Sequence, residues 1–158
     1  MQQPAGTHLA QLNVGRAADE IESERMSEFI GALDRINRLA ERSPGFVWRL
    51  ADGEGGGATG IKVAEDPRFI INLSVWETPE TLEQFAWKTV HKQYHSRRAN
   101  WFEPPSEPTF VMWWVPAGHI PPPEEAIKRL DHLRANGASE HAFDWAFLPD
   151  ITLWKTAD

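Results

Sequence analysis

Between Ser74 and Phe102 the hydrophobic period of this chain changes twice, and any fold must accommodate both changes. Val75-Trp76-Glu77-Thr78-Pro79-Glu80 ends a strand and opens a helix. The Thr78 hydroxyl is placed as an N-cap, Pro79 takes the first helical position, and Glu80 puts an acid in the first turn. Beyond this start, Leu82, Phe85 and Thr89 share one helical face, whereas Trp87, His91, Tyr94, Arg98 and Trp101 lie on nearly the opposite one. At about 100° per residue, one straight helix cannot bury both stripes against a single sheet. The pattern predicts a break or kink near Trp87 to Val90, or a helix sandwiched on two sides.

The flanking segments supply the sheet. His8 to Val14 alternates Ala10, Leu12 and Val14 with Leu9, Gln11 and Asn13, as a half-buried strand does. Met26, Phe29, Ile30, Leu33, Ile36 and Leu39 recur at three- and four-residue steps, an amphipathic helix that Ser43-Pro44-Gly45 stops. Phe46 to Leu50 and Phe69 to Trp76 are predicted strands, joined by the glycine-rich Asp52 to Gly57 as a flexible hairpin connection. Thr109 to Val115 is a fourth strand ended by Pro116. The prolines at 121 to 123 launch a last helix with Ala126, Ile127, Leu130 and Leu133 inward, closed by Asn136-Gly137. Phe143, Trp145 and Phe147 alternate as a short added strand would.

The order is β-α-β-β-α-β followed by an appended helix, which is the α+β pattern of a ferredoxin-like sandwich. A length of 158 residues suits one domain, with a core over 8–116 and a C-terminal helix and tail over 117–158. In this topology two helices cover one sheet face and the other is bare. That bare face carries either Phe110, Met112 and Trp114 or Val111 and Trp113. Exposed apolar area costs roughly 25 cal/mol per Å², so the expected remedy is a homodimer burying sheet against sheet. The alternative is that the C-terminal helix and tail fold over the sheet.

Composition narrows the function classes. With 16 basic against 23 acidic residues the net charge is -7, which argues against nucleic acid as a partner. Arg97-Arg98 and Lys128-Arg129 read as solvated surface. There are no cysteines, hence no disulfide, thiolate metal site or cysteine nucleophile. No apolar run reaches the roughly 18 residues of a membrane span, and the N-terminus has no basic-then-apolar signal. A cytoplasmic protein with no membrane partner is therefore expected. Eight Trp against one Tyr will mostly be core, yet such rings also suit a pocket for an apolar or aromatic small molecule.

Several residues are placed to act in such a pocket. Asn72, Ser74 and Trp76 share one face of the third strand, and Gln11 and Asn13 one face of the first. They either face solvent or present amides to a ligand carbonyl or developing oxyanion, with Trp76 as a stacking wall. His91 and His95 are one helical turn apart, a spacing that suits a shared metal, an axial haem ligand, or a general base. No His-Glu-x-x-His pattern and no third ligand accompany them, so no metal is expected. Arg49 either pairs with a ligand acid or forms a cross-strand salt bridge. Trp87, His95 and Arg98 join the list of ligand contacts. Gly55-x-Gly57-x-x-Gly60 matches a dinucleotide fingerprint in letters but is followed by no helix, so phosphate binding is not expected.

Over about two thirds of its length the chain resembles the dimeric α/β-barrel superfamily that contains antibiotic-biosynthesis monooxygenases. The resemblance rests on Val75-Trp76-Glu77 leading into an acidic, His-bearing helix, and on the element order from His8 to Pro116. The whole sequence is similar to a bacterial domain-of-unknown-function family in that superfamily. His8 to Asn13, Ser43 to Leu50, Trp101-Phe102 and Trp113 to His119 carry this likeness. The resemblance implies a dimer and, by analogy with cofactor-free monooxygenases, oxidation of an aromatic substrate whose own carbanion activates oxygen. In that pattern an Asn precedes a Trp by four residues on the third strand. Asn72 would hold a substrate oxygen and Trp76 would support the oxygen-bearing intermediate. Haem-degrading relatives use an Asn, a Trp and a His ten residues later; Asn13 suits the first role, but Trp87 and His95 are only eight apart. Phe85-Ala86-Trp87 followed by His91 also looks like spheroidene-monooxygenase-type haem proteins.

These readings converge on a monooxygenase-like oxidoreductase with a Trp-lined pocket. Asn72, Trp76 and His91 are its expected catalytic residues, and Gln11, Asn13, Arg49, Trp87, His95 and Arg98 its substrate contacts. No cofactor is expected. The alternatives are a haem protein using His91 or His95, and a non-catalytic ligand-binding or structural dimer.

Overall fold

Backbone pairing places the first strand at the centre of the molecule. In the computed structural model, which describes residues 1–51, 66–90 and 97–156, strand β1 (Thr7–Arg16) pairs antiparallel with β3 (Phe69–Trp76) on one side and β4 (Phe110–Pro116) on the other. Strand β2 (Phe46–Arg49) completes the order β2-β3-β1-β4 at the outer edge of β3. This is the ferredoxin-like α+β order expected from the sequence. Strand β1 is longer than its alternation predicts. Its extra residues at Gly15 and Arg16 still pair with Ile70 and Phe69. Gly15 is required there, because a Cβ on it would lie 2.7 Å from the Phe102 ring.

Helix α1 (Glu24–Glu41) begins at Ser23, whose hydroxyl accepts from the Met26 amide, and turns Met26, Phe29, Leu33 and Ile36 to the sheet. It ends where expected. Gly45 has a φ of 81° and its carbonyl accepts from the Glu77 amide, so the turn after α1 is tied to the end of β3. Val47 forms a bulge in β2 and shifts the register between Phe46 and Trp48.

Helix α2 (Pro79–Glu83) starts with the predicted Thr78 cap, here a reciprocal box with Thr81. After five residues it widens into a π-helical segment, Gln84–Val90. A π-turn takes an extra residue per turn, so it shifts the phase of everything beyond it. The expected break near Trp87 to Val90 therefore exists, as a widening that begins three residues earlier. Short helix α3 (Arg98–Trp101) follows the undescribed stretch 91–96.

Each sheet face has its own cover. Ala10, Leu12, Val14, Ile71, Leu73, Val75, Val111, Trp113 and Val115 form the purely apolar face, and α4 (Pro123–Asn136) packs Ala126, Leu130 and Leu133 onto it. The Trp113 indole donates to the Glu125 carboxylate of that helix at 3.0 Å. The face that the sequence leaves bare is thus covered from within the chain, by the alternative route. The opposite face carries α1 and α2, together with a tail of Phe143, Leu148 and Ile151. Here one expectation is corrected. Phe143 makes a single bridge to Met112, and Trp145–Phe147 is one 3-10 turn rather than an added strand, because Leu148 and Ile151 must also reach the sheet. A final short helix, α5 (Leu153–Thr156), ends the described chain. The glycine-rich connection Asp52 to Gly57 and the Gly55-x-Gly57-x-x-Gly60 motif lie outside the described residues.

Because Leu130 is 1 % exposed on the covering helix, Leu130→Ala should lower unfolding stability by about 2–5 kcal/mol. Urea denaturation followed by Trp fluorescence measures this; a loss within error would mean α4 is not the cover.

Candidate functional site

The sheet face under α1 and α2 is crossed by three rows of side chains. Trp76, Leu9 and Trp114 make one, Ser74, Gln11 and Met112 the next, and Asn72, Asn13 and Phe110 the third. Strand alternation puts all nine on the same side. The middle row is buried: Gln11 is 5 % and Ser74 6 % exposed. In the third row Asn72 is half-buried and Asn13 exposed. One row further, Ile70 is buried again, under Met26, Phe29 and Trp101. The paired asparagines therefore lie in a seam between two hydrophobic clusters.

A polar network orients the floor of this seam. The Gln11 Nε2 group donates to Ser74 Oγ at 2.7 Å and to Asn72 Oδ1 at 2.9 Å. Ser74 Oγ also accepts from the Trp76 indole at 2.9 Å. Buried polar groups need such partners, and here both hydrogens of the Gln11 amide are used. Asn72 spends its carbonyl oxygen on Gln11, so its –NH2 is the group left for a ligand oxygen. Gln11 and Ser74 thus set the orientation of Asn72.

Aromatic rings wall the seam. Trp145 stacks on Phe110 with ring centroids 5.5 Å apart and 12° between planes. Trp87 meets Trp145 edge-on at 6.2 Å. All three rings are partly exposed. At the end of β1, on the other side of the strand, Arg16 pairs with Asp66 and Glu103. The Asp66 carboxyl is held below its ordinary range, first by the Arg68 backbone amide and then by Arg16.

The expected site residues divide accordingly. Asn72, Gln11 and Asn13 come together, and Trp87 is linked to their row through Trp145 and Phe110. Trp76 does not line an opening: it is 1 % exposed, stacked on Phe85 at 5.1 Å and met edge-on by Phe46 at 5.6 Å. With its indole N–H given to Ser74, Trp76 supports the network instead of facing a ligand. Arg49 neighbours Ser74 in register and lies 3.6 Å from Glu41 of α1, so one ion pair runs from it to that helix. Arg98 is exposed at the start of α3. His91, Tyr94 and His95 lie outside the described residues. Among the described residues no group of three or more His, Asp or Glu is placed to hold a metal ion.

Sequence reasoning missed Phe110, Trp145 and the buried Glu83. Phe110 was visible as a sheet residue, but its ring could not be assigned to the seam without the register of β1 and β4. Trp145 comes from beyond the core, so no local pattern ties it to the site.

An α+β ferredoxin-like domain with an aromatic seam on its helical face is the class these features define. The chain belongs to a family known as a domain of unknown function (DUF3291), whose model matches residues 8–156. This bears out the resemblance to such a family. No curated protein matches the chain. Its fold is similar to that of a protein of unknown function from Nitrosomonas europaea, with 13 % identity, TM-score 0.51, and coverage of 75 % of this chain and 99 % of the other. A candidate antibiotic biosynthesis monooxygenase from the same organism also matches, at 12 % identity and TM-score 0.48 over 75 % and 97 % of the two chains. No helix among the described residues is long and apolar enough to cross a membrane.

Ser74→Ala leaves two buried donors, on Gln11 and Trp76, without an acceptor, and should cost about 1–3 kcal/mol. Asn13→Ala, at the exposed end of the same face, should stay within about 0.5 kcal/mol of native. Paired urea unfolding curves check the contrast, and equal losses would dissolve the network as described.

Proposed function

We propose that this protein is a monooxygenase-like oxidoreductase that binds a flat aromatic substrate bearing a phenolic or carbonyl oxygen. The observation that carries the proposal is the oriented Asn72 amide in a seam walled by Phe110, Trp145 and Trp87. The rings would stack on the substrate, and the Asn72 –NH2 would donate to its oxygen. As charge develops on that oxygen during enolate formation, a donor held in place by Gln11 strengthens its bond without reorganising. His91 is the proposed group that takes the substrate proton.

The resulting carbanion is the reductant. A ring CH2 and O2 give a ring C=O and water, so the balance needs no external electron donor and no cofactor. Haem binding through His91 or His95 is the alternative, and a silent ligand-binding protein the third reading. A homodimer and a cytoplasmic setting belong to the same proposal. With α4 over the apolar face, a second copy would use another surface. Light scattering on the purified protein gives the mass of one chain or two.

The test is oxygen uptake with anthrone, whose ring CH2 lies across the central ring from its carbonyl and is conjugated to it once deprotonated, in native protein, Asn72→Ala and His91→Ala. Native protein should consume one O2 per anthrone, and Asn72→Ala should slow this about 10²–10³-fold, as loss of one oxyanion donor does elsewhere. No enzyme-dependent uptake would remove the oxygenase reading. A haemin titration run beside it, with a Soret shift lost in His91→Ala or His95→Ala, would replace it by the haem protein.

A further inference from the structure

One wall of the seam comes from outside the β-α-β-β-α-β core. Trp145 belongs to the tail beyond α4, and that tail is fastened at two points. Upstream, Phe143 exchanges both backbone hydrogen bonds with Met112, at 2.8 and 2.9 Å. Downstream, Glu83 is 7 % exposed, and its Oε2 accepts from the Thr152 and Leu153 amides, both at 3.0 Å.

Burying a carboxylate is costly unless it is paired or hydrogen-bonded. Glu83 makes no ion pair among the described residues, so the two amides are what stabilise its charge there. A surface acid on a short helix would be commonplace. A buried one aimed at the backbone of a segment 69 residues away is a fastening. Its position in the chain matters as much, because Glu83 ends α2 directly before the π-helical segment that carries Trp87. The carboxylate thus ties the helix that leads to Trp87 to the tail that carries Trp145, and those two rings meet at 6.2 Å. Between the fastenings, Leu148 and Ile151 are 4 % and 3 % exposed, whereas Trp145 is only half-buried.

We propose that the C-terminal segment 142–156 is a working part of the ligand site, with Trp145 as the specificity-determining ring that stacks on the aromatic ligand and Glu83 as the residue that positions it. This rests on the aromatic-ligand reading above. A tail that merely completed the core would bury Trp145 as it buries Phe143.

The experiment is calorimetric titration with anthrone under anaerobic conditions, on the native protein, Trp145→Ala, Trp145→Phe and Glu83→Gln. Amide hydrogen exchange at Thr152 and Leu153 is followed in native protein and Glu83→Gln. Trp145→Ala should weaken binding about tenfold, and Trp145→Phe should restore most of it. Glu83→Gln keeps an acceptor but loses the charge; it should speed exchange at the two amides, leave the β1 amides protected, and weaken anthrone binding. Native binding that Trp145→Ala leaves unchanged overturns this inference alone. Native protein that binds no anthrone overturns the aromatic-ligand reading, and this inference with it. Unchanged exchange in Glu83→Gln removes Glu83 from the proposal even if Trp145 stays.

Discussion

Everything in this molecule hangs on strand β1, which is paired along both edges and covered on both faces. Leu9, Ala10 and Leu12 have no exposed surface at all. A strand so enclosed has no freedom of register, since a slip of one residue would carry Leu12 to the polar row and Gln11 into the apolar face. The alternation in β1 therefore specifies its neighbours. Ala10 is small because Trp113 lies opposite it, and Gln11 is polar because Ser74 and Asn72 are within reach.

The fold was legible to the extent that it is periodic. Strand β3 ends where its alternation ends, α1 stops at Ser43-Pro44-Gly45, and the conflict between Leu82 and Trp87 foretold an irregular second helix. What the periodicity could not give was the cover of the apolar face. Ala126, Leu130 and Leu133 mark a helix with one apolar side, but nothing in their spacing chooses between this chain's sheet and a partner. The tail defeated pattern reading for a different reason. Alternating Phe143, Trp145 and Phe147 look like a strand, yet only Phe143 finds an unpaired edge, and the next residues turn to bury Leu148 and Ile151.

For the candidate site, residue types were readable and their roles were not. Asn72 and Gln11 sit diagonally on one sheet face, as strand parity predicts, and they do meet. Trp76 shares that parity, but its depth depends on Phe46 and Phe85, which approach from two other elements. Burial is a property of the assembled layers, and it turned an expected ligand wall into a buried hydrogen-bond donor. The same depth argument raises Ser74 from a bystander to the oxygen on which Gln11 and Trp76 converge.

The cover of the apolar face has a consequence for how the chain is made. Synthesis runs from the N-terminus, so all four strands have emerged by Pro116, while α4 begins only at Pro123. Until α4 leaves the ribosome, a finished sheet would offer Val111, Trp113 and Leu73 to any sticky neighbour. The short interval between the fourth strand and the covering helix keeps that exposure brief. A nascent chain stalled just after β4 would hold a complete sheet with its apolar side raw and the tail's share of the other side still missing, and the cell's quality-control machinery would meet it in that form.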